Sequence, residues 1–164
     1  MEAFCEYVEV QLAWKGTWSD DNFKQPWWRP FRSRAYAERN WDWECEIRID
    51  ESMQVYPGDP NYGELSSQAI SARTQRDIYH WWRDKRPTRP SSYHEDGDGK
   101  AWELFQTYLG ENTVPEEMMS RYEILDRSTG SKKYLNLLII DDYYDFEDSE
   151  MLKKLIDIRT HLWT

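Results

Sequence analysis

The stretch LSSQAISARTQRDIYHWWRDKRPTRP (residues 65–90) combines a helix start, a long periodic body and a hard stop, and its reading decides the fold. Ser66 or Ser67 offers a hydroxyl to the free amides of a first turn, and Pro87 and Pro90 forbid continuation at the far end. Between these signals Leu65, Ala69, Ala72, Tyr79 and Trp82 recur on one helical stripe, with Ile70, Ile78 and Trp81 beside it. Burying one large apolar side chain contributes roughly 1.5 to 3 kcal/mol. Two adjacent indoles therefore make this helix the anchor of the core.

Downstream of it the pattern stays helical. Residues 101–109 place Trp102, Phe105 and Leu109 at spacings of three and four, with Gly110 positioned to end the helix. Thr113-Val114-Pro115-Glu116 has capping-box spacing with proline as an early helical residue, which predicts a helix over 115–126 through Met118, Met119, Tyr122 and Leu125. YLNLLII (134–140) is short and apolar, open between buried strand and helix; its helical neighbours favour helix for 134–144. Carboxylates at 145–148 suit the N-terminus of a last helix, whose stripe is Met151, Leu155, Ile158 and Leu162.

The first third reads differently. Val8, Val10 and Leu12 alternate with Glu9 and Gln11, and in WDWECEIRI (41–49) Trp41, Trp43, Cys45, Ile47 and Ile49 share one parity. This period of two predicts two strands, 4–12 and 41–49, paired in a small antiparallel ribbon with one wet face. Between them Pro26 and Pro30 break any long helix, leaving an extended Trp27-Trp28-Arg29-Pro30 section and a short helix after Pro30. Residues 50–64 are rich in turn signals. The expected fold is α+β and predominantly α: a small N-terminal antiparallel β ribbon packed on a C-terminal helical bundle of about four helices. It forms a single domain over 1–164, with an aromatic strand- and loop-rich part (1–64) and a helical part (65–164).

Composition agrees with a folded chain. Of the 164 residues only 39% are hydrophobic, but ten Trp and eleven Tyr supply large apolar surfaces with polar handles. The net charge of −10 is unevenly placed: residues 91–150 carry 15 acidic and 5 basic side chains, whereas 1–90 are nearly balanced. A two-sided electrostatic surface follows. The longest apolar run, LNLLII, falls far short of the roughly 20 residues a membrane span needs. The acidic N-terminus lacks the basic region and apolar core of a secretory signal, and Cys5 and Cys45 have no CxxC spacing. A cytosolic protein with two reduced, buried cysteines is expected.

Three segments are familiar together: DWECEI (42–47), SSQAISA with IYHWWRDKRPTRP (66–90), and EDSEMLKKLIDIRTHLWT (147–164). They resemble proteins of tailed bacteriophages in which a Tyr-x-Trp-Trp-x-x-x-Arg-Pro helix end and a terminal Ile-Arg-x-x-Leu-Trp-Thr recur. The resemblance covers about a third of the chain. After the Arg-Pro, where those relatives are longer and often hold a Ser-Gly-Trp, this chain has SSYHEDGDGKAW. It implies a phage origin and the cytoplasm of the infected host, and brings no assigned chemistry.

Three constellations are candidates for function. The acidic run Asp141, Asp142, Asp145, Glu147, Asp148 and Glu150 reads first as a solvated helix start, then as an acidic protein-binding surface, and last as hard oxygen ligands for Mg²⁺ or Ca²⁺. It lacks the spacing of a calcium loop. The basic aromatic block with Trp27, Trp28, Arg29 and Arg32 reads as internal packing, as an interface enriched in Trp and Arg, or as a base-stacking surface. Net negative charge disfavours nucleic acid. His94 lies beside Glu95, Asp96 and Asp98, a combination able to bind metal, though a polar loop with one histidine is commoner.

No phosphate loop, nucleophile elbow or His-Glu-x-x-His pattern occurs, so no catalytic residue, metal ligand or cofactor is assigned. The expected function is non-enzymatic: a phage accessory protein that binds a host or phage protein, such as an acidic inhibitor of a host defence nuclease. Its partner-binding residues are Trp27, Trp28, Arg29, Arg32, Asp141, Asp142, Asp145 and Glu147. The alternatives are a metal-dependent hydrolase and a minor virion or assembly component that self-associates through its Trp-rich face.

Overall fold

The computed structural model describes residues 1–13, 33–93, 98–129 and 135–159. Among them are six α-helices: α1 (Glu2–Tyr7), α2 (Ser33–Glu44), α3 (Ser67–His80), α4 (Asp98–Leu109), α5 (Glu116–Thr129) and α6 (Leu135–Ile158). The chain divides into two compact units. One comprises Met1–Trp82 with the chain from Lys154 onward, and the other Arg83–Lys153.

The expected N-terminal ribbon is not formed: no strand occurs among the described residues. Residues 2–7 are α-helical and Val8–Leu12 continue as a π-helical turn. Phe4, Val8 and Leu12 are buried one turn apart with Cys5 beside them, while Val10, which parity placed with Val8 and Leu12, is 57% exposed. The same substitution of period occurs in the second expected strand. Trp41–Glu44 belong to α2, where Tyr36, Ala37, Asn40 and Trp41 form one buried stripe at helical spacing, continued by Cys45 just past the helix end. Trp41 is fully buried, and Trp43 is 60% exposed. Alternation of apolar residues fits both periods over so short a run, and the large area gained by packing Trp41 on α3 decides for the helix.

Only the end of the run is extended. The Ile47 carbonyl accepts from Ser66 N (3.0 Å), and Ile49 exchanges hydrogen bonds with Glu64 O (2.9 Å) and Gly63 N (2.8 Å), around an isolated bridge between Arg48 and Leu65. This pairing delivers the chain to α3. Ser66, in extended conformation, accepts from Ala69 N at 3.1 Å and caps the helix as its sequence predicts. Along α3 the buried face is Ala69, Ala72, Gln75, Ile78 and Tyr79, whereas Ile70 is exposed. After His80 the helix loosens into a π-helical turn, Trp81–Lys85, and a 3-10 turn, Arg86–Thr88, because Pro87 has no amide to donate.

In this first unit α2 packs on α3 and on the Val8–Leu12 turn. Trp41 and Tyr79 meet with ring centroids 5.5 Å apart. Two aromatics of α3 and its exit use their polar handles: Tyr79 Oη donates to Glu9 (3.0 Å) and Trp82 Nε1 to Glu2 (3.1 Å). A charged seam runs along the outside of the α2–α3 contact. Glu38 lies 2.8 Å from His80 Nε2 and 3.2 Å from Arg76, and Arg76 also reaches Asp42 at 3.2 Å. Arg34 sits 3.2 Å from His80 Nδ1. Guanidinium can only donate, so Nδ1 is the acceptor from Arg34 and Nε2 faces Glu38.

The second unit is built on α4 and α6. Ala101, Phe105 and Leu109, each four residues apart, bury one face of α4 against Ile140 and Tyr143. Phe105 meets Tyr143 edge-on at 5.3 Å. Gly110, at φ +60°, ends α4 as expected, and α4 begins at Asp98, earlier than its apolar spacing predicts. Pro115 O accepts from Met118 N (3.0 Å) and Met119 N (3.1 Å) at the start of α5. Beyond it the expectation of a helix start within 145–148 is overturned: α6 runs unbroken for 24 residues, and the acidic run lies in its interior.

Trp41 and Trp43 separate the two periods experimentally. Trp41→Ala is expected to destabilise the protein by about 3 to 5 kcal/mol in urea denaturation, and Trp43→Ala by less than about 1 kcal/mol. Equal losses would restore the strand.

Candidate functional site

Wound as a helix, the acidic run is sorted by direction. At 100° per residue, Leu138, Asp141, Asp142, Asp145, Phe146, Ser149 and Leu152 fall on one face of α6, and all seven are exposed. Ile140, Tyr143 and Glu147 fall on the opposite face and are buried. Of the sequence-predicted partner-binding residues, Asp141, Asp142 and Asp145 are therefore brought together outside. Glu147, at 7% exposure, is turned inward. Trp27, Trp28, Arg29 and Arg32 lie outside the described residues, as do His94, Glu95 and Asp96.

Inside, Glu147 is the centre of a saturated charge cluster. Its carboxylate accepts from Lys85 Nζ at 2.7 Å, Tyr108 Oη at 2.6 Å and Arg89 Nη2 at 2.9 Å. Asp148 beside it accepts from Arg86 (3.0 and 3.2 Å) and from Arg89 (2.6 Å). Arg89 also lies over the Tyr144 ring, 4.7 Å from its centroid, and Tyr144 Oη donates to Pro90 O at 2.9 Å. The basic exit of the 65–90 stretch is thus fastened to the middle of α6. Three cations against two carboxylates leave the cluster slightly positive, which explains how a helix with so many acids can bury one. Sequence spacing could not show this, because the partners are separated by about sixty positions.

The titration behaviour follows from these contacts. Burial pushes the Glu147 carboxyl up, but hydrogen bonds from Lys85, Tyr108 and Arg89 outweigh it and hold the group below its ordinary value of 4.5. Asp148 is likewise raised by burial and lowered further by Arg86 and Arg89, ending below 3.8. Burial raises the phenols: Tyr144 is pushed up to about 12, with Arg89 opposing and Glu147 adding, and Tyr108 goes higher, with Glu147 reinforcing burial. Near the outer face, Tyr122 donates to Asp142 and is pushed up to about 12 by burial and that bond.

Two hollows open among the described residues. One, of about 260 Å³, lies among Phe4, Tyr7, Leu155, Ile156 and Arg159; the other, of about 330 Å³, lies beside Trp102, Gln106, Asn112 and Met119. Neither brings a nucleophile and a base together among its described lining. Among the described residues no group of three or more His, Cys, Asp and Glu side chains is placed to hold a metal ion, and no helix is long and apolar enough to cross a membrane. The face of α6 with Asp141, Asp142 and Asp145 beside Leu138, Phe146 and Leu152 is acidic, apolar and exposed.

Replacing Glu147 with Gln is expected to cost about 1 to 3 kcal/mol in chemical denaturation, because Lys85 loses its carboxylate and Arg89 is left with Asp148 alone. Because Glu147 and Asp148 titrate lower in the folded state, stability is expected to hold above pH 4.5 and to fall as the pH drops from 4.5 through their folded values. The raised tyrosines act in the opposite sense, so stability should also fall as the pH rises above 10.0 toward about 12. Denaturation curves across both ranges check this, and Glu147→Gln should flatten the acid limb. In comparisons with known proteins, the chain matches no family model, no curated protein and no solved structure.

Proposed function

We propose that this chain is a phage accessory protein that acts by binding another protein through the outward face of α6. The surface it covers is cationic, such as the nucleic-acid channel of a host defence nuclease. The observation that carries this reading is the sorting of the acidic run. Glu147 and Asp148 are neutralised internally, while Asp141, Asp142 and Asp145 stay exposed on the same helix beside Leu138 and Phe146. Carboxylates held at fixed helical spacing with apolar neighbours give both long-range steering and a desolvated contact. Net charge of −10 steers the protein toward basic surfaces and away from nucleic acid itself. The resemblance to tailed-phage proteins supplies the setting.

The test uses the purified full chain as bait for host lysate at low and high salt, followed by affinity measurement with the captured protein. Asp141→Asn with Asp145→Asn is expected to weaken that affinity by about tenfold or more and to reduce its salt dependence. Asp142 is left in place because it accepts from Tyr122. An affinity unchanged by the double substitution would sink the reading.

A further inference from the structure

Leu138, Asp142, Asp145, Ser149 and Leu152 follow one another along α6 at spacings of four, three, four and three, and every one is exposed. That recurrence is the contact stripe of a helix that pairs with another helix. It spans 15 residues, a rise of about 21 Å, or five contact layers over two heptads. Its ends are aliphatic, Leu138 at 49% and Leu152 at 45% exposure, and its middle is acidic. Asp141 and Phe146 flank it, and Lys153 is paired with Glu150 at 2.5 Å.

The chemistry of the stripe restricts what can cover it. An aliphatic helix would bury Asp142 and Asp145 without counter-charge, which is strongly unfavourable. A second copy of the same face in parallel would set these carboxylates against each other. In antiparallel register, with Leu138 against Leu152 and Asp142 against Ser149, it would still set Asp145 against the Asp145 of the other copy at the centre. Lys or Arg side chains satisfy the middle, because their stems cover apolar surface while their heads reach the carboxylates.

We infer that this face is the docking seam for a helix of a partner protein that carries Lys or Arg at the middle of its contacting stripe and aliphatic residues at both ends. The inference rests on the protein-binding reading above and adds the shape and chemistry of the partner. Leu138 and Leu152 are its anchors, and Asp142 and Asp145 select the partner by charge.

The probe is a labelled synthetic helix of about three heptads, with Leu at the outer contact positions and Lys at the central ones. It is titrated against the full chain by fluorescence anisotropy. A peptide with Glu at the centre and one of the same composition with the stripe scrambled serve as controls. The Lys-centred helix should bind at least about tenfold more tightly than either, and Leu138→Ala with Leu152→Ala should remove most of that difference. Both leucines are exposed, and an unchanged circular dichroism spectrum confirms that the variant is folded. Equal binding of the scrambled peptide overturns the inference. So does sedimentation showing a dimer that the leucine substitutions dissociate, since the occupant is then a second copy. If the leucine substitutions leave the captured partner's affinity unchanged while Asp141→Asn with Asp145→Asn still weakens it, the helical partner fails and the protein-binding reading stands.

Discussion

A buried carboxylate must be paid for by cations and hydrogen bonds, and the second unit is arranged around meeting that demand for Glu147. Lys85, Arg89 and Tyr108 converge on it, and Arg86 and Arg89 hold Asp148 one position on. The contacts fix the rotation of α6 about its own axis. Once Glu147 faces inward with Ile140 and Tyr143, Asp141, Asp142 and Asp145 must face outward. One ion cluster thereby determines which acids are structural and which stay exposed. Such clusters contribute little net stability compared with an apolar core, but removing one member is costly, and that asymmetry fixes geometry.

The first unit obeys a different constraint, the placement of few and very large side chains. Trp41, Tyr36 and Tyr79 are buried, and the polar groups on this surface are directed to specific acids: Tyr79 to Glu9, Trp82 to Glu2, His80 to Glu38. An aromatic core of this kind joins packing to hydrogen bonding at Tyr79 and Trp82. Acidic residues of α1 and α2 that look like surface charge in the sequence therefore act as acceptors for the aromatic helix α3. The basic residues of α3 and its exit are used in the same way, Arg76 on Glu38 and Asp42, and Arg89 on Glu147. Much of the positive charge of α3 and its exit is thereby taken up within the chain.

Local signals that depend on one or two residues were legible. Ser66 caps α3, Pro87 ends its regular hydrogen bonding, Gly110 closes α4 in the left-handed region, and Pro115 opens α5, because each acts on backbone amides within a few positions. Of the candidate site, the acidic run was visible as composition, and three of its members lie together on an exposed face. Which members are outward was not visible. That depended on reading 135–158 as one helix, and on Arg89, whose partners are some sixty residues away.

The sequence by itself determined the anchor helix, the helices that follow Pro90 and Pro115 and the segregation of acidic charge, since these follow from periodicity, capping and composition. Tertiary structure decided the first third. Val8-x-Val10-x-Leu12 and Trp41-x-Trp43-x-Cys45 satisfy a strand as well as a helix locally, and only burial of Phe4, Val8, Leu12 and Trp41 on one side selects the period of 3.6. It also decided the direction of each carboxylate on α6. A side chain's own neighbours set the angle between it and the next, but only a contact distant in sequence sets which of them faces the core.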